Sequence, residues 1–288
     1  MAGAFVDARW RTVELPQPSY PTQVYHYTSI QGVEGILNSR TLWASLLHFM
    51  NDSREWLYAL DLIRQDITQR LTHRDDPNWI LFISELVESL AQIERINICV
   101  FVFSASSNQL SQWRAYCPAE GGYELCFQFA TLKQHMEFHG FELRECVYNL
   151  IVQKQIIGGI ADNIINAVTA LPDEKAVEAA RQVAIQRISR ELAQVAPLLK
   201  HPDFREEREW RAFGLIPAND PRMSYHLKGS VAVPHCTLSL ESEEAAFPIT
   251  HILVGPNPHQ ALALRGLSAL LGSHHISIGQ SATPLRSF

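Results

Sequence analysis

The chain lacks the sequence signatures of several large enzyme classes. No GxGxxG follows a strand, so a dinucleotide-binding Rossmann unit is not expected, and no GxxxxGK[ST] marks a phosphate loop. HExxH, GxSxG and paired-cysteine spacings are also missing, which argues against zinc proteases, serine hydrolases and zinc fingers. His274-His275 is an adjacent pair on a strand-like run, and neighbouring strand residues point to opposite faces, so no metal role is expected for it. The five cysteines, at 99, 117, 126, 146 and 236, are odd in number and fall mostly in apolar strand-like runs, so they read as reduced, buried thiols. No window of about 18 apolar residues predicts a membrane span. The opening "MAGAFVDARWRTVELPQPSYP" has no basic region followed by an apolar core, which predicts a cytoplasmic protein. Net charge is -6, from 24 basic and 30 acidic residues, and gives no global attraction for phosphate backbones.

What is present is an ordinary globular composition over 288 residues, 47% hydrophobic and 19% charged. That length exceeds the usual prior of about 100–200 residues per domain but suits one large domain. After a proline-bearing arm, "QVYHY" reads as a strand and "SIQGVEGILNS" as a short helix capped by Ser29, followed by a strand-like "TLWAS". Leu57, Leu60, Ile63, Ile67 and Leu71 line a helix from about 54 to 72, and Ile83, Leu86, Leu90 and Ile93 line a second that would pair with it as a hairpin. "NICVFVF" predicts a strand buried on both faces, "YELCFQF" one with two unlike sides, and "FELRECVYN" its neighbour. Residues from about 150 to 200 are helical in pattern. "REWRAFGLI", "SVAVPHCTLSL" and "ITHILVG" return to strand character, and "HQALALRGLSALLG" and "HHISIG" give a last helix and strand. The expected architecture is a single α+β domain spanning 1–288, with helical excursions at about 54–95 and 150–200.

Four polar clusters interrupt the apolar runs, and each has an ordinary structural reading. His26-Tyr27-Thr28 ends the first strand, where a lone histidine reads as a satisfied core residue. Asn51, Asp52 and Glu55 in "FMNDSRE" suit a turn that caps the following helix. Ser104, at the end of "NICVFVFS", precedes "QWRAY", whose Trp113, Arg114 and Tyr116 suit an aromatic anchor. In "FREEREWRAFG", Glu207, Glu209 and Arg211 alternate, so on a strand they share one face, as a solvated edge would.

Their order points beyond those readings. A histidine ending the first strand, a Phe-Ser ending a middle strand and a Glu-x-Glu entering a late strand resemble the parts of ADP-ribosyltransferase folds, and the opening stretch is similar to their DNA-modifying branch. The resemblance implies a split-sheet core and NAD as the substrate. A carboxylate on the ribose hydroxyl would stabilise the oxocarbenium-like charge left when nicotinamide departs. It implies Glu209 as that carboxylate, Glu207 orienting the acceptor, His26 and Thr28 on ribose, Ser104 supporting Glu209, Tyr27 or Trp113 stacked on a ring, and Arg114 or Arg211 on the pyrophosphate, with Asn51 and Tyr116 nearby. The product would be an ADP-ribosylated macromolecule, protein or nucleic acid, or hydrolysed NAD, as in a bacterial toxin or phage-defence effector.

A second resemblance covers nearly the whole chain. "VYHYTS", "LWASLLHFMNDSREW", "VFVFSASSNQLSQWRAY", "GGYELCFQF", "ECVYN", "REEREWRAF" and "ITHILVGPNP" occur in the order found in the bacterial family domain of unknown function 2971. Ser53 replaces that family's proline, while Glu55 is kept. Two other readings stay open: a metal-dependent nuclease or nucleic-acid-binding defence protein gathering a cation at Asp52, Glu55, Glu207 and Glu209, and a non-catalytic interaction module. Nucleases of that kind usually carry a lysine beside the acids, and neither acidic segment has one.

Overall fold

A computed structural model describes residues 15–16, 19–50, 53–71, 77, 80–81, 84–88, 96–169, 174–272 and 274–283. The chain divides into two compact units. One comprises Met1–Gln17, Leu47–Ile98 and Cys146–Asp203, and the other Pro18–Leu46, Cys99–Glu145 and Phe204–Phe288. Together they make a mixed α+β protein.

In the first unit the two helical excursions of the sequence come together. The helix Ser53–Leu71 packs on Leu150–Thr169, which packs on Glu174–Val195. Ile63, Ile67, Ile156, Ile160, Ile188 and Leu192 are buried, as their helical spacing requires. Leu57, expected on the same apolar face, is instead exposed, because the buried stripe runs through Ala59, Leu60 and Leu62. The helix-hairpin partner expected around 80–93 falls largely outside the described residues. Gln153 is fully buried and satisfied: its amide donates to the carbonyls of Val147 (2.5 Å) and Lys200 (2.8 Å) and accepts from Tyr58 Oη (2.7 Å).

The second unit is built on a large open sheet. Among the described residues its strands are β1 (Gln23–Thr28), β2 (Thr41–Leu46), β3 (Ile98–Ser104), β4 (Tyr123–Gln128), β5 (Glu142–Glu145), β6 (Glu209–Leu215), β7 (Met223–Lys228), β8 (Val231–Ser239), β9 (Ile249–Val254) and β10 (Ser277–Gln280). Their order is β10-β9-β4-β1-β3-β2-β8-β7, with β6 joined to β3 and β5 to β6. The registered pairs are antiparallel except β9 with β10. β3 is the hinge of this order: it meets β1 only at Tyr25↔Ser104 and β2 only at Ser45↔Val100 and Leu46↔Cys99. Its apolar run is buried except at the half-buried Val102, as expected for a strand enclosed on both faces.

One face of the sheet carries the core. Val24, Phe103, Leu125, Phe127, Trp210, Ala212, Leu238 and Ile252 cluster there, covered by three helices that each present two buried residues or more: Val33 and Leu37 of Ile30–Ser39, Leu132 and Met136 of Phe129–Phe138, and Leu267 and Leu271 of Gln260–Leu271. Burial of each such side chain is worth about 1.5–3 kcal/mol. Ser29 caps the first helix by accepting from the Gly32 amide at 3.2 Å, as the sequence indicates.

Three features correct or extend the sequence pattern. "FELRECVYN" pairs with β6 and not with β4, because the helix Phe129–Phe138 intervenes and carries the chain away. The two unlike sides of β4 are both buried: Glu124 and Cys126 on one are as buried as Leu125 and Phe127 on the other. The β7 strand was not anticipated, since "MSYHLK" has a weak apolar pattern and gains its place by pairing with β8. Among the described residues, no helix is long and apolar enough to cross a membrane.

Candidate functional site

The candidate site lies in the second unit, where the chain leaves β3 and where it enters β6. Ser104 ends β3 with its side chain 3% exposed. Its hydroxyl donates to the Glu207 carbonyl at 2.7 Å and accepts from the Ser106 amide at 3.0 Å. The Ala105 amide donates to the Arg208 carbonyl at 2.8 Å. Farther along, Gln109 Nε2 donates to the carbonyl (2.8 Å) and carboxylate (3.2 Å) of Glu206, and Ser111 Oγ donates to the same carboxylate at 3.0 Å. Tyr116 Oη donates to Glu207 Oε1 at 3.2 Å. Two segments about a hundred residues apart are thereby fastened to each other.

The strand alternation expected for Glu207, Glu209 and Arg211 holds only for the last two. Glu207 sits in the turn Pro202–Glu207, and Arg208 adopts φ 46°, the left-handed conformation that ends the turn before β6 begins. Glu209 and Arg211 share a face, and Arg211 Nε donates to Glu209 Oε1 in an ion pair with both side chains almost fully buried. Trp210, between them, points the other way and meets Phe129 edge to face at 4.9 Å. The ion pair therefore lies on the side of the sheet opposite the helix-covered core.

A second polar cluster on that side centres on Glu124, which the sequence pattern does not single out. It is 1% exposed and accepts from the Asn108 amide at 2.5 Å and from Ser107 Oγ at 2.8 Å. Burial raises the Glu124 pKa, against the opposing effect of the Asn108 and Ser107 donors. Tyr27, its cross-strand partner, donates to the Ser106 carbonyl at 2.8 Å and accepts from the Gln109 amide at 3.1 Å. Burial, and then the nearby Glu124, push the Tyr27 phenol pKa upward. Asn108 takes the left-handed φ of 51°, and its Oδ1 accepts from Trp113 Nε1 (3.1 Å), Ser281 Oγ (2.5 Å) and Thr283 Oγ1 (3.1 Å). These bonds fix the loop after β3. The only sequence signal for Glu124 was a charged residue inside an apolar strand.

The remaining candidates are placed as follows. Tyr27 and Trp113, expected to stack on a ligand ring, meet each other edge to face at 4.8 Å, and both are buried. That packing occupies the surfaces a ligand would use. His26 follows Tyr25, and Tyr25 pairs with Ser104, so His26 projects to the opposite side of the sheet from Ser104. Its ring packs on Phe101 (4.5 Å) and Phe103 (6.4 Å), and Nδ1 bonds to the Val102 carbonyl at 3.0 Å. Burial lowers the His26 pKa to about 4, outweighing that carbonyl, so the ring is neutral at pH 7. The structure does not bring His26 to Ser104 and Glu209. Thr28 ends β1 so close to Gly32 that a Cβ there would lie 2.1 Å from its hydroxyl oxygen, and its carbonyl accepts from Cys117 Sγ at 3.7 Å. Arg114 is exposed, as is Tyr116. Asn51, Asp52 and the side chain of Glu55 lie outside the described residues. Among the described residues, no three or more histidine, cysteine or acidic side chains group to hold a metal. All five cysteines are free thiols, and burial raises the pKa values of Cys99 and Cys117 to about 12.

A sequence model of the family described as protein of unknown function, DUF2971, matches residues 112–212. Over these residues the chain is similar to DUF2971. The DUF2971 segment starts inside the helix Leu110–Tyr116 and ends on β6, so it contains Trp113, Glu124, Glu207, Glu209 and Arg211 while His26 and Ser104 lie before it. No curated protein and no solved structure matches the chain significantly.

Proposed function

We propose that this protein is an NAD-using, ADP-ribosyltransferase-like enzyme that transfers ADP-ribose to a macromolecule or to water. The observation that carries this reading is the Ser104 hydroxyl bonded to the Glu207 carbonyl, two residues before Glu209. It joins the serine ending a middle strand to the Glu-x-Glu entering a late one, which is the relation the resemblance calls for. The hinge position of β3 in the sheet order is also compatible with a split-sheet core.

In this reading the Glu209 carboxylate faces the ribose from which nicotinamide departs with the electron pair of the broken C–N bond. A fixed negative charge aimed at the developing oxocarbenium stabilises it more than the ground state. Arg211 keeps Glu209 ionised and oriented in the resting protein and turns to the pyrophosphate when NAD enters. Because both groups are buried, the substrate must displace one of them from the pair. Glu207, half-buried and oriented by Tyr116, accepts the proton of the nucleophile that bonds to the ribose carbon. His26 is left as a packing residue on the other face, and Tyr27 and Trp113 as the support of the loop.

The test is nicotinamide release and label transfer in one assay. Glu209→Gln should keep NAD binding and lose turnover by a factor of roughly 100 or more. Glu207→Gln should lose transfer and retain slow release to water. Wild-type turnover in Glu209→Gln overturns the assignment. So does a melting temperature that rises with manganese and not with NAD, which points to a metal-dependent hydrolase.

A further inference from the structure

Away from that site, the sheet formed by β2, β8 and β7 carries an aromatic cluster on its outer face. Ser45 and Ser224 are the cross-strand partners of His235, Val233 is the partner of His226, and Thr237 that of Trp43. Strand alternation puts Trp43, His235 and His226 on one face, while Cys236 points into the core. Trp43 stacks on both imidazoles, at 4.6 Å and 22° from His235 and at 5.3 Å and 29° from His226. The indole is 47% exposed, His226 is half-buried and His235 is buried. Nδ1 of His226 lies 3.2 Å from Nδ1 of His235, and the ring centroids are 5.2 Å apart.

That nitrogen separation matches one edge of a metal coordination shell. Two ligands bonded at about 2.0–2.1 Å to a tetrahedral ion lie about 3.3 Å from each other. As a hydrogen bond the same contact needs a proton on one of the two nitrogens. As a chelate it needs none, and the displaced proton moves to Nε2. We propose that His226 and His235 chelate a borderline transition-metal cation of the copper(II), nickel(II) and zinc(II) class through Nδ1, with water or a small anion in the remaining positions.

The electrostatics agree with the geometry. Burial lowers the pKa of His235, opposed by the Val233 backbone, and burial with the Lys228 charge lowers that of His226, so both rings are neutral with lone pairs available at pH 7. Lys228 shares the face of His226 by alternation, and its positive charge favours an anion as the additional ligand. Two imidazoles select by ligand type: copper(II) should bind most tightly, then nickel(II) and zinc(II), while oxygen-preferring magnesium should not compete. This site is independent of the NAD reading.

The test uses the full chain, freed of metal and titrated with copper(II), zinc(II) and magnesium. Expected are one equivalent of copper(II), an electron paramagnetic resonance pattern from two imidazole nitrogens, and quenching of the Trp43 fluorescence. His226→Ala, at a half-buried position that circular dichroism can confirm as folded, should drop one nitrogen and weaken binding at least about tenfold. Trp43→Phe should keep the stoichiometry and lose the quenching. Changing both His274 and His275 to Ala should alter nothing. Unchanged affinity in His226→Ala, or loss of copper on changing His274 and His275, overturns the proposal.

Discussion

Glu124 on β4 and Glu209 on β6 are both buried carboxylates on the side of the sheet away from the helix-covered core, yet they are stabilised by opposite means. Around Glu124 the compensation is neutral: the Asn108 amide and the Ser107 hydroxyl. Around Glu209 it includes a full positive charge from Arg211, itself almost fully buried. A carboxylate held by neutral donors ties a loop in place and tolerates protonation. One held by a guanidinium keeps its charge, and its partner is left stranded if it is removed. The first is the arrangement of a structural clasp, the second that of a charge held ready.

The largest effect that sharpens this contrast is on Arg211. Arg211→Ala should cost about 3–5 kcal/mol, because it leaves the Glu209 charge buried without its guanidinium. The double change Glu209→Leu with Arg211→Met should cost less than that single one, since no uncompensated charge remains. Urea unfolding midpoints at constant m-value measure both. A loss under 1 kcal/mol for Arg211→Ala would erase the distinction between the two clusters.

At Glu124 the effect should be smaller and should depend on pH. Glu124→Gln keeps the volume but offers one acceptor oxygen where two donors converge, so about 1–3 kcal/mol is lost from an unsatisfied donor. Burial raises the folded-state pKa above the ordinary value of 4.5. The folded protein thus holds the proton more tightly than the unfolded chain. That contribution is fully present below about 4.5 and fades as pH rises through the folded value. The gap between wild type and Glu124→Gln should accordingly narrow from pH 5 to pH 8. A gap that widens over this range would mean that Glu124 is held as a carboxylate, like Glu209.

How much of this was legible in the sequence depended on whether local pattern or distant partner decided the outcome. The strands at Gln23–Thr28, Ile98–Ser104 and Ile249–Val254, and the Ser29 cap, follow from composition and period alone. Ser104, Glu209 and Arg211 stood out because polar groups interrupt apolar runs, and the structure places Ser104 against the turn that leads to the other two. Glu124 did not stand out, since in "YELCFQF" an outward glutamate and an inward one look alike until the loop at Ser107 and Asn108 folds over it. Glu207 falls in the turn and not on the strand that its alternation predicts, because the left-handed turn at Arg208 carries no glycine to announce it. His26 shows the converse: a residue next to the right ones in the chain faces away, since one step along a strand reverses direction. Pairing register was the missing information for His26, and loop conformation for Glu124 and Glu207.

The smallest effect tests whether the two clusters are separate at all. Ser104→Ala removes the donor to the Glu207 carbonyl and the acceptor of the Ser106 amide, which should cost about 1–2 kcal/mol. If Ser104 fastens only the turn before β6, the loss appears as local opening and not as global unfolding. Amide hydrogen exchange should then quicken several-fold at Ala105 and Ser106, whose bonds lie within that fastening. The Asn108 amide, bonded to Glu124, should keep its protection. Equal acceleration at Asn108 would show that the loop opens as one piece. Glu124 would then be part of the same mobile element as the Glu209 turn, and the contrast between clasp and poised charge would fail.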